Sequence, residues 1–453
     1  MDPRVLNSGR SSTGGKLRLL AVLFGTLLAA VALAACGGGS SDGTTGGTTT
    51  GGGEEEASGS DVKAELTKLL EPEAAGPLGE GETLKLGLSI PQDGQGAAFG
   101  AEMTKGTELA AEQIELLGGP KVEVDIQNNG SGDPEAGVAN MKAFHGSGVG
   151  TALTSNIANL GSQLALAAQY KILLLDPGGG TGGITAPFFW GTRTDAYFAA
   201  VPGLFKYIAE TEGEDVEKIA FIGDTLGPET DKAQEKLLKA EAQKQGWEFV
   251  AFITNPVGET DYSNVISELE QSGADVAVFG EYGRDAGFAL RQMQSQGLEM
   301  PVYGYTWTSD IPGSAAGAEE GFKFAADFFV PSAASNDWAQ IFVDTFEEKY
   351  GESPEFFAAN YYESAFIVWE LARRVLAEKG DINSGEAMQK ALEAEPTFPS
   401  VLGGEGATLG KTEISPETHA VVGRKMGVFE YAGGEVKPKA FFGFEAAEFE
   451  LVE

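Results

Sequence analysis

The amino-acid sequence predicts an α/β fold composed of two doubly wound lobes. Apolar, strand-like segments alternate with helix-like segments from Leu84 to Tyr305, and such alternation indicates a parallel sheet with helices on both faces. The same series begins again near Asp195. The chain after residue 81 is also longer than one hydrophobic core usually spans. We therefore predict two sheets, one in each lobe.

The first 35 residues are predicted to be a secretion signal. Four basic residues and the single acid Asp2 precede an apolar run from Leu19 to Ala35. A charged segment followed by an apolar segment that ends in small residues is typical of a cleaved signal peptide. The run has about 17 residues, close to the minimum for spanning a bilayer, so a transmembrane anchor is the alternative.

Cys36 is the only cysteine in the chain, and it follows Leu33, Ala34 and Ala35. These four residues resemble the bacterial lipobox, whose cysteine is diacylated and becomes the new N-terminus. Two acyl chains give stable membrane anchoring; a buried or catalytic thiol is the alternative. No disulfide within the chain is possible. The Gly/Ser/Thr tract at 36–60 is predicted to be a disordered tether, because it has almost no apolar side chains to bury.

The chain is strongly acidic, with 31 Lys and Arg residues against 67 Asp and Glu residues and a formal net charge of −36. Cleavage before Cys36 would remove four basic residues and one acid and bring the charge to about −39. Such a charge disfavours binding to nucleic acid or to anionic lipid headgroups and favours solubility. It does not identify a small-molecule ligand.

The first series of elements follows a short helix at 61–70 and a proline-containing linker that extends to residue 81. Asp133 is predicted to cap a helix whose first residue is Pro134. The patterns predict strands at 84–90, 122–126, 149–153 and 172–175, with helices at 97–117, 134–144 and 160–170.

The second series predicts strands at 219–222, 249–254, 276–279, 302–305 and 322–330, with helices at 196–210, 229–245, 262–271 and 285–296. Two further helices are expected at 338–350 and 357–376, and antiparallel strands at 427–444. We predict that lobe 1 comprises residues 82–200 and 331–395, and that lobe 2 comprises residues 201–330 and 396–453.

The segment from Leu84 to Gly100 predicts one wall of a binding site. Its strand runs into a loop rich in Pro, Gly, Gln and Asp, and an Ala-rich helix follows. In open parallel sheets the loops at the carboxyl ends of the strands line the ligand crevice. Residues 91–99 are therefore expected to contact a ligand.

Four segments are more specific than the pattern: LKLGLSIPQDGQGAAFG with the helix AEMTKGTELAAEQIELLGG, IQNNGSGDPEAGVANMKAF, GADVAVFGEYGRDAGFALRQMQSQGLEMPVYG, and FVDTFEEKYGESPEFFAANYYESAFIVWELARR. They resemble the periplasmic leucine/isoleucine/valine-binding family, the type I substrate-binding proteins of ABC transporters. The order of elements from about Leu84 to Ala377 is similar as well. The resemblance implies the periplasmic binding protein-like I fold, with a three-strand hinge between lobes that close on a small polar ligand.

The resemblance also implies which residues hold that ligand. Ser155 and Asn156 match a loop whose hydroxyls and amides bind a carboxylate or amide, and residues 178–181 match a loop that donates backbone N–H groups to the same end. Tyr282 matches the aromatic residue that covers the ligand. The implied set is Gln92, Ala97, Ala98, Phe99, Ser155, Asn156, Gly178, Gly179, Gly180, Thr181, Asp195, Asp224 and Tyr282.

The loop after the strand VYG departs from the amino-acid binders of that family. Where those proteins place an acid for the ligand ammonium group, this sequence has Tyr305, Thr306 and Trp307, although Glu281 offers a replacement. An amide, a urea-like compound, a carboxylate or an aromatic ligand stacked on Trp307 therefore fits at least as well as a zwitterionic amino acid. Thr306 and Trp307 join the expected ligand-binding residues.

Rival motifs are weak. The glycines at 178–183 match G-x-G-x-x-G, but no helix begins at the third glycine, as a dinucleotide site requires. His145 and His419 lack the spacing of a zinc site. Asp176 and Asp195 form an alternative catalytic carboxylate pair of undetermined separation, and several of the polar site residues have helix capping as their alternative role. No metal, cofactor or catalytic residue is predicted.

These features predict an extracytoplasmic solute-binding lipoprotein, in a periplasm or at the cell surface, that delivers a small polar organic ligand to an ABC permease. The expected partners are that ligand, the permease subunits and the membrane, which the N-terminal lipid would enter. We expect a monomer that binds no nucleic acid and is not an enzyme. The alternative is a ligand-sensing receptor lipoprotein coupled to a membrane signalling partner, and an enzyme is the third possibility.

Overall fold

The strands of the first series form a parallel sheet, here called sheet A. The computed structural model describes residues 53–71, 76–155, 157–179, 184–194, 196–280, 283–403, 409–443 and 446–452. Sheet A has the spatial order β2-β1-β3-β4-β5, with every neighbouring pair parallel. Its strands are β1 (Thr83–Ile90), β2 (Lys121–Asn128), β3 (Thr151–Thr154), β4 (Leu173–Asp176) and β5 (Phe189–Gly191).

Helices from both ends of the chain pack around sheet A. Helix α11 lies along α2, and α12 contacts β4. These helices are α1 (Gly53–Leu70), α2 (Ala97–Leu116), α3 (Pro134–Ser147), α4 (Ile157–Tyr170), α10 (Asp337–Tyr350), α11 (Phe356–Ala377) and α12 (Gly385–Ala394). Because helices cover the sheet, Leu86, Leu88 and Leu174 are all almost completely buried.

The second series forms sheet B, which mixes parallel and antiparallel strands. Its spatial order is β16-β15-β14-β10-β9-β8-β6-β7, and the last five in that order are parallel. The strands are β6 (Lys218–Asp224), β7 (Glu248–Asn255), β8 (Val276–Gly280), β9 (Val302–Gly304), β10 (Lys323–Asp327), β14 (Met426–Ala432), β15 (Glu435–Phe442) and β16 (Glu450–Leu451). Its helices are α5 (Ala196–Glu212), α6 (Pro228–Gln245), α7 (Ser263–Ser272), α8 (Arg284–Gln296) and α9 (Ile311–Ala315).

A small antiparallel sheet, sheet C, contains β11 (Thr397–Ser400), β12 (Gly410–Ile414) and β13 (Val421–Val422). It packs against α11, because the Glu363 carboxylate in that helix accepts hydrogen bonds from Ser400, Val401 and Leu402. We call sheets A and C with their helices the sheet A half, and sheet B with its helices the sheet B half. The packing therefore places 397–422 in the sheet A half, whereas the sequence assigns 396–453 as a whole to lobe 2. The division into lobes itself stays a prediction.

The predicted α/β class with doubly wound sheets is confirmed. Asp133 caps α3 as expected, because its side chain accepts a hydrogen bond from the Glu135 N–H and Pro134 follows it. One prediction needs correction: α1 begins at Gly53, so residues 53–60 are helical and do not belong to the tether. The glutamates that follow Gly53 favour a helix start there, since acids stabilise the N-terminal end of the helix dipole. No helix within the described ranges has the length and apolar character needed to cross a bilayer.

Three chain segments connect the sheet A half to the sheet B half. They follow Gly191 in β5, follow Asp327 in β10, and precede Met426 in β14. Two of them run side by side, since the Phe328 N–H donates a hydrogen bond to the Lys425 carbonyl oxygen (3.2 Å). This is the arrangement expected of a three-strand hinge.

Helices α2 and α11 pack tightly at Gly106, where a Cβ atom would lie 2.1 Å from the Ala358 carbonyl oxygen. We expect Gly106→Ala to lower the free energy of unfolding by about 1–3 kcal/mol, because the backbone must shift to admit the methyl group. Urea denaturation measures this change. Gly161→Ala is the matched control: it lies in α4 with nothing within 4 Å of the added Cβ, and it should be neutral or stabilising. Equal effects of the two variants would contradict the prediction.

Candidate functional site

The loop after β1 is held in shape by the loop after β2. The Gln92 N–H donates to Asn128 Oδ1 (3.0 Å), and the Gly96 N–H donates to Ser131 Oγ (3.0 Å). The Gln92 side chain is exposed. Residues 97–99 form the first turn of α2, and the Ala97 N–H donates to the Gly94 carbonyl oxygen in the preceding turn. First-turn N–H groups that have no partner suit an anionic group.

Ser155 follows β3 and is fixed from three sides. Its N–H donates to the Ser89 carbonyl oxygen (3.2 Å), and its own carbonyl oxygen accepts from Asn129 Nδ2 (3.0 Å). From α11, the Tyr361 hydroxyl donates to the Thr154 carbonyl oxygen (2.7 Å). The serine is only 3% exposed. These contacts fix the backbone at Ser155, and its hydroxyl oxygen lies 3.4 Å from Asn129 Nδ2.

The loop after β4 lies against Ser155. A Cβ atom at Gly178 would be 3.0 Å from Ser155 Cα, and Gly179 adopts a φ of +86° that favours glycine. The Gly178 N–H donates to Asp176 Oδ1 (2.7 Å). This corrects one expectation. The Gly178 N–H is already bonded within its own loop, so backbone donation to a ligand stays a prediction for residues 179–181 only.

Arg193 joins this loop to the sheet B half. Its Nη1 donates to the Gly178 carbonyl oxygen (2.6 Å), and its Nε donates to Asp327 Oδ2 (2.7 Å) at the end of β10. The guanidinium also lies 4.9 Å from the ring centroid of Phe356 and 5.1 Å from that of Phe357. Both charged side chains are almost fully buried. One residue thus connects the loop after β4 to the hinge.

Two carboxyl groups, those of Asp224 and Asp285, interact at the edge of sheet B where its parallel strands end. Asp224 ends β6 and is buried; its Oδ1 lies 3.4 Å from Asn255 Nδ2. Asp285, in the first turn of α8, accepts a hydrogen bond from the Gly258 N–H (2.7 Å). Burial and the neighbouring Asp224 carboxylate raise the pKa of Asp285 to about 7. Near neutral pH one of these two acids therefore retains a proton for part of the time.

We expect this raised pKa to make the protein less stable as pH rises. Unfolded Asp285 ionises near its ordinary pKa of 3.8, whereas the folded group ionises near 7. Its destabilising contribution is therefore absent below pH 4, grows between pH 4 and 7, and is complete above 7. Asp285→Asn should raise the free energy of unfolding by about 1–3 kcal/mol more at pH 8 than at pH 4. Urea denaturation at the two pH values measures the difference.

Asp261→Asn is the control for this pH dependence. Ser263 donates hydrogen bonds to the exposed Asp261 carboxylate through its hydroxyl and its N–H, and these lower the pKa of Asp261. Its stabilising contribution is present above its ordinary pKa and is lost as pH falls. The control should therefore change stability with pH in the opposite direction. A pH profile of Asp285→Asn that runs parallel to that of the unmodified protein would refute the assignment.

The two halves touch across the space between these loops. Arg284 Nε donates to Gln95 Oε1, and a Cβ atom at Gly258 would lie 3.1 Å from the Gln95 side-chain nitrogen. On another side, the Ser309 N–H donates to Glu355 Oε1 (3.0 Å). Burial and the Glu102 carboxylate raise the pKa of Glu355 to about 7. These contacts describe a closed arrangement of the two halves.

A family model described as periplasmic binding protein matches residues 83–435. The chain belongs to the periplasmic binding protein family. The order of its sheets and the three connections between its halves agree with the type I members of that family. The resemblance seen in the sequence is therefore confirmed.

Relatives and solved structures agree with this assignment. The Leu/Ile/Val-binding protein homolog 1 of Brucella melitensis is 29% identical over 332 residues, which cover 70% of this chain and 84% of that protein. A leucine-binding protein of Thermotoga maritima has a TM-score of 0.69 at 17% identity and covers 80% of this chain and 99% of its own. An ABC transporter solute-binding protein of R. palustris in complex with benzoate has a TM-score of 0.67 at 19% identity, covering 82% and 98%. The two structures show the shared fold.

Within this periplasmic binding protein, Trp307 belongs to a different cluster from Ser155. Its ring stacks on Tyr431, with 4.6 Å between centroids, and on Phe324 at 5.1 Å. Thr306 precedes it and is half-buried. Phe99 is also buried, edge-to-face against Phe357 at 4.8 Å. Trp307 and Phe99 thus pack against protein side chains, whereas Ser155 and Gly178 meet at the strand ends.

Several predicted residues of this periplasmic binding protein lie outside the described residues. Cys36 and the signal segment precede Gly53, the first described residue. The ligand-binding predictions that also fall outside are Asn156, Gly180, Thr181, Asp195 and Tyr282, and the alternative acid Glu281 does as well. These assignments stay predictions.

The histidines of this periplasmic binding protein have packing partners. His145 stacks on Tyr170 with 4.2 Å between ring centroids, and His419 stacks on Trp190 at 3.6 Å. His419 Nδ1 also donates to the Phe189 carbonyl oxygen (2.8 Å). Across the described ranges, no group of three or more His, Cys, Asp or Glu side chains is arranged to hold a metal ion.

Sequence reasoning missed Arg193, Asp327, Tyr361 and Asp285. Arg193 follows a buried strand and precedes the predicted site residue Asp195 by two positions, so a charged residue in that connection was a usable signal. Asp327 similarly ends an apolar strand. Tyr361 lies within the helix FFAANYYESAF, where its aromatic neighbours favour an interpretation as core. What distinguishes Tyr361 from its aromatic neighbours is the hydrogen bond from its buried hydroxyl to Thr154. The sequence pattern does not show this bond.

Proposed function

We propose that this chain is the extracytoplasmic solute-binding lipoprotein of an ABC importer and captures a small polar organic ligand by closure of its two halves. One observation carries the proposal: the loop after β1 meets the first turn of α8 in the sheet B half, where Arg284 Nε donates to Gln95 Oε1. Closure of this kind removes water from around a ligand. The proposed partners are permease subunits and the membrane, with Cys36 carrying the lipid and the protein acting as a monomer.

The proposed ligand is held from both sides. In the sheet A half, Ser155, Asn156 and the backbone of 179–181 would bind a carboxylate or amide, and Gln92 would line the same wall. In the sheet B half, Asp224, Asp195 and Tyr282 would contact the remainder. Hydroxyl and backbone N–H donors orient such groups without chemical change, so the proposal includes no catalytic step.

Two ligand classes follow from the comparisons. The Brucella relative is named a Leu/Ile/Val-binding protein homolog, and the R. palustris structure contains benzoate. Both ligands carry a carboxylate, which fits the donors near Ser155. The Asp224 carboxylate, which interacts electrostatically with Asp285, would favour a ligand that also carries an N–H donor at its other end. Amino acids, amides and urea-like compounds therefore join aromatic carboxylates as candidates.

A ligand screen tests this proposal. The melting temperature of the full chain, purified in a non-ionic detergent, is measured by tryptophan fluorescence with amino acids, amides, ureas, short carboxylates and aromatic acids. A ligand that binds only the folded state raises the melting temperature. For a hit, Ser155→Ala should weaken binding by about tenfold or more, as expected for one lost hydrogen bond to a charged group. The exposed Ser295→Ala is the control.

Small-angle scattering of the same protein gives an independent result. The ligand should reduce the radius of gyration if capture proceeds by closure of the two halves. An unchanged radius with a confirmed ligand would contradict capture by closure. A hit whose affinity is the same in Ser155→Ala as in the unmodified protein would contradict the placement of the site.

A further inference from the structure

A cavity of about 670 Å³, distinct from the candidate site near Ser155, lies beside the hinge on one face of sheet B. Its walls come from β10, β14 and β15, the loop after β9, and the segment that precedes α11. Helix α5 packs on the opposite side of β10 and β14, where Ala325 and Val428 belong to its cluster. The cavity therefore occupies a sheet face that α5 leaves uncovered, and both halves contribute to it.

Aromatic rings make up much of this cavity. Trp307 lies between Tyr431 and Phe324, and Phe324 continues to Phe429 at 5.8 Å between centroids. Phe356, from the sheet A half, completes the lining. Ring faces carry negative charge density and attract cations, most strongly when the site is shielded from water. A cluster of this kind suits a positively charged group on an apolar body.

A buried aspartate is among the residues that line the same cavity. Asp327 lines it and is 1% exposed; its Oδ2 binds Arg193, whereas its Oδ1 has no hydrogen-bond partner among the described residues. A buried acceptor without a donor is unfavourable, because it has lost its hydrogen bonds to water. A ligand N–H group that reached Oδ1 would remove that cost.

The other charged groups of the cavity are mostly acidic. Glu355 and Glu435 line it together with Asp327, and Lys437, the basic residue of the lining, lies 3.7 Å from Glu435. A ligand carboxylate would therefore meet three acidic side chains. The formal net charge of −36 further favours cations over anions.

The geometry points to a second ligand site in this cavity, which takes an organic cation: an apolar ring or chain that carries an ammonium group. The ammonium N–H would donate to Asp327 Oδ1, and the apolar body would lie against Tyr431 and Phe356, which line the cavity. This site goes beyond the proposed capture of a polar solute, and its chemistry is opposite to that of the loops near Ser155, which present donors. Through Arg193, which also holds Gly178, an occupant would be connected to the loop after β4.

Calorimetric titration of the full chain with benzylamine at pH 7 tests this inference, with benzyl alcohol as the uncharged probe of the same shape. Benzylamine should bind saturably at one site, and benzyl alcohol should bind at least about tenfold more weakly because it lacks the charge. Absence of saturable benzylamine binding would overturn the inference. The failure of the ligand screen described above would not, because that screen contains no organic amine without a carboxylate or amide.

Val436→Lys places a positive charge at the rim of the cavity, where Val436 is 41% exposed. It should weaken benzylamine binding by about tenfold through repulsion. Val422→Lys, at a residue 45% exposed on sheet C and outside the cavity lining, is the matched control and should leave the affinity unchanged. Equal effects of the two variants would overturn the inference.

Two further variants separate this cavity from the site near Ser155. Trp307→Phe keeps an aromatic ring between Tyr431 and Phe324, so it should retain benzylamine binding by calorimetry. Gln92→Ala should leave benzylamine binding unaffected. If Gln92→Ala weakens benzylamine as strongly as Val436→Lys does, the amine binds near the Gln92 loop and the inference is wrong.

Discussion

Replacing Arg193 with alanine is expected to lower the free energy of unfolding by about 3–5 kcal/mol and to abolish ligand binding. The substitution leaves the Asp327 carboxylate buried without its cation, and a buried charge that loses its partner is strongly destabilising. It also removes the donor to the Gly178 carbonyl oxygen, so the loop after β4 loses its support. Urea denaturation and titration with a ligand from the screen measure the two effects.

Controls for Arg193→Ala come from a surface pair and from a conservative substitution. Lys171 and Glu386 form an ion pair in which both side chains are more than half exposed, and Lys171→Ala should cost about 0–1 kcal/mol. Arg193→Lys should fall between the two, because one ammonium group cannot hold both Asp327 and Gly178 as a planar guanidinium does. If Arg193→Ala were no more destabilising than Lys171→Ala, the hinge pair would have no structural role.

Glu363→Ala is expected to have an effect of similar size for a different reason. The Glu363 carboxylate accepts hydrogen bonds from Ser400 Oγ (2.5 Å) and from the N–H groups of Val401 (2.8 Å) and Leu402 (3.1 Å). It also pairs with Arg424, and both charged side chains are 1% exposed. Alanine would leave the buried Arg424 guanidinium without its carboxylate and would remove the shared acceptor of Ser400, Val401 and Leu402. We expect a loss of about 3–5 kcal/mol in the free energy of unfolding, measured by urea denaturation.

The double variant Glu363→Leu with Arg424→Met tests whether the unpaired charge of Arg424 causes the destabilisation of Glu363→Ala. Replacing both members of a buried ion pair with apolar side chains of similar size is often close to neutral. The double variant should therefore be more stable than Glu363→Ala alone. The opposite order would show that the remaining hydrogen bonds, and not the unpaired charge of Arg424, dominate this part of sheet C.

Local signals predicted much of the fold. The cap at Asp133 depends on neighbouring residues alone, and the strand at 84–90 depends on alternation within one segment. Sheet C and α12 were missed. The strands of sheet C are only two to five residues long, and β11 contains Pro399, which a strand pattern excludes. Their positions depend on contacts with Glu363 in a distant part of the chain, which no local pattern reveals.

The candidate site also has a part that local sequence predicts and a part that depends on tertiary contacts. The placement of Ser155 at a strand end could be predicted, because loops at the carboxyl ends of parallel strands meet at one edge. The pair between Arg193 and Asp327 joins residues 134 positions apart, so only tertiary structure brings them together. For Trp307, the sequence shows an aromatic residue near a strand end, but the face on which its ring packs depends on Tyr431, from the last part of the chain.

The packing of helix α1 bears on which half the proposed lipid anchor would hold. Leu66 of α1 is fully buried, and the helix lies on α10, which packs through Trp338 against α11. An anchor attached upstream of Gly53 would consequently fasten the sheet A half. The sheet B half, which is joined to it by three segments, would then be the half that moves. Opening and closing would change its height above a membrane surface, so a partner on that surface could sense ligand occupancy from the position of sheet B alone.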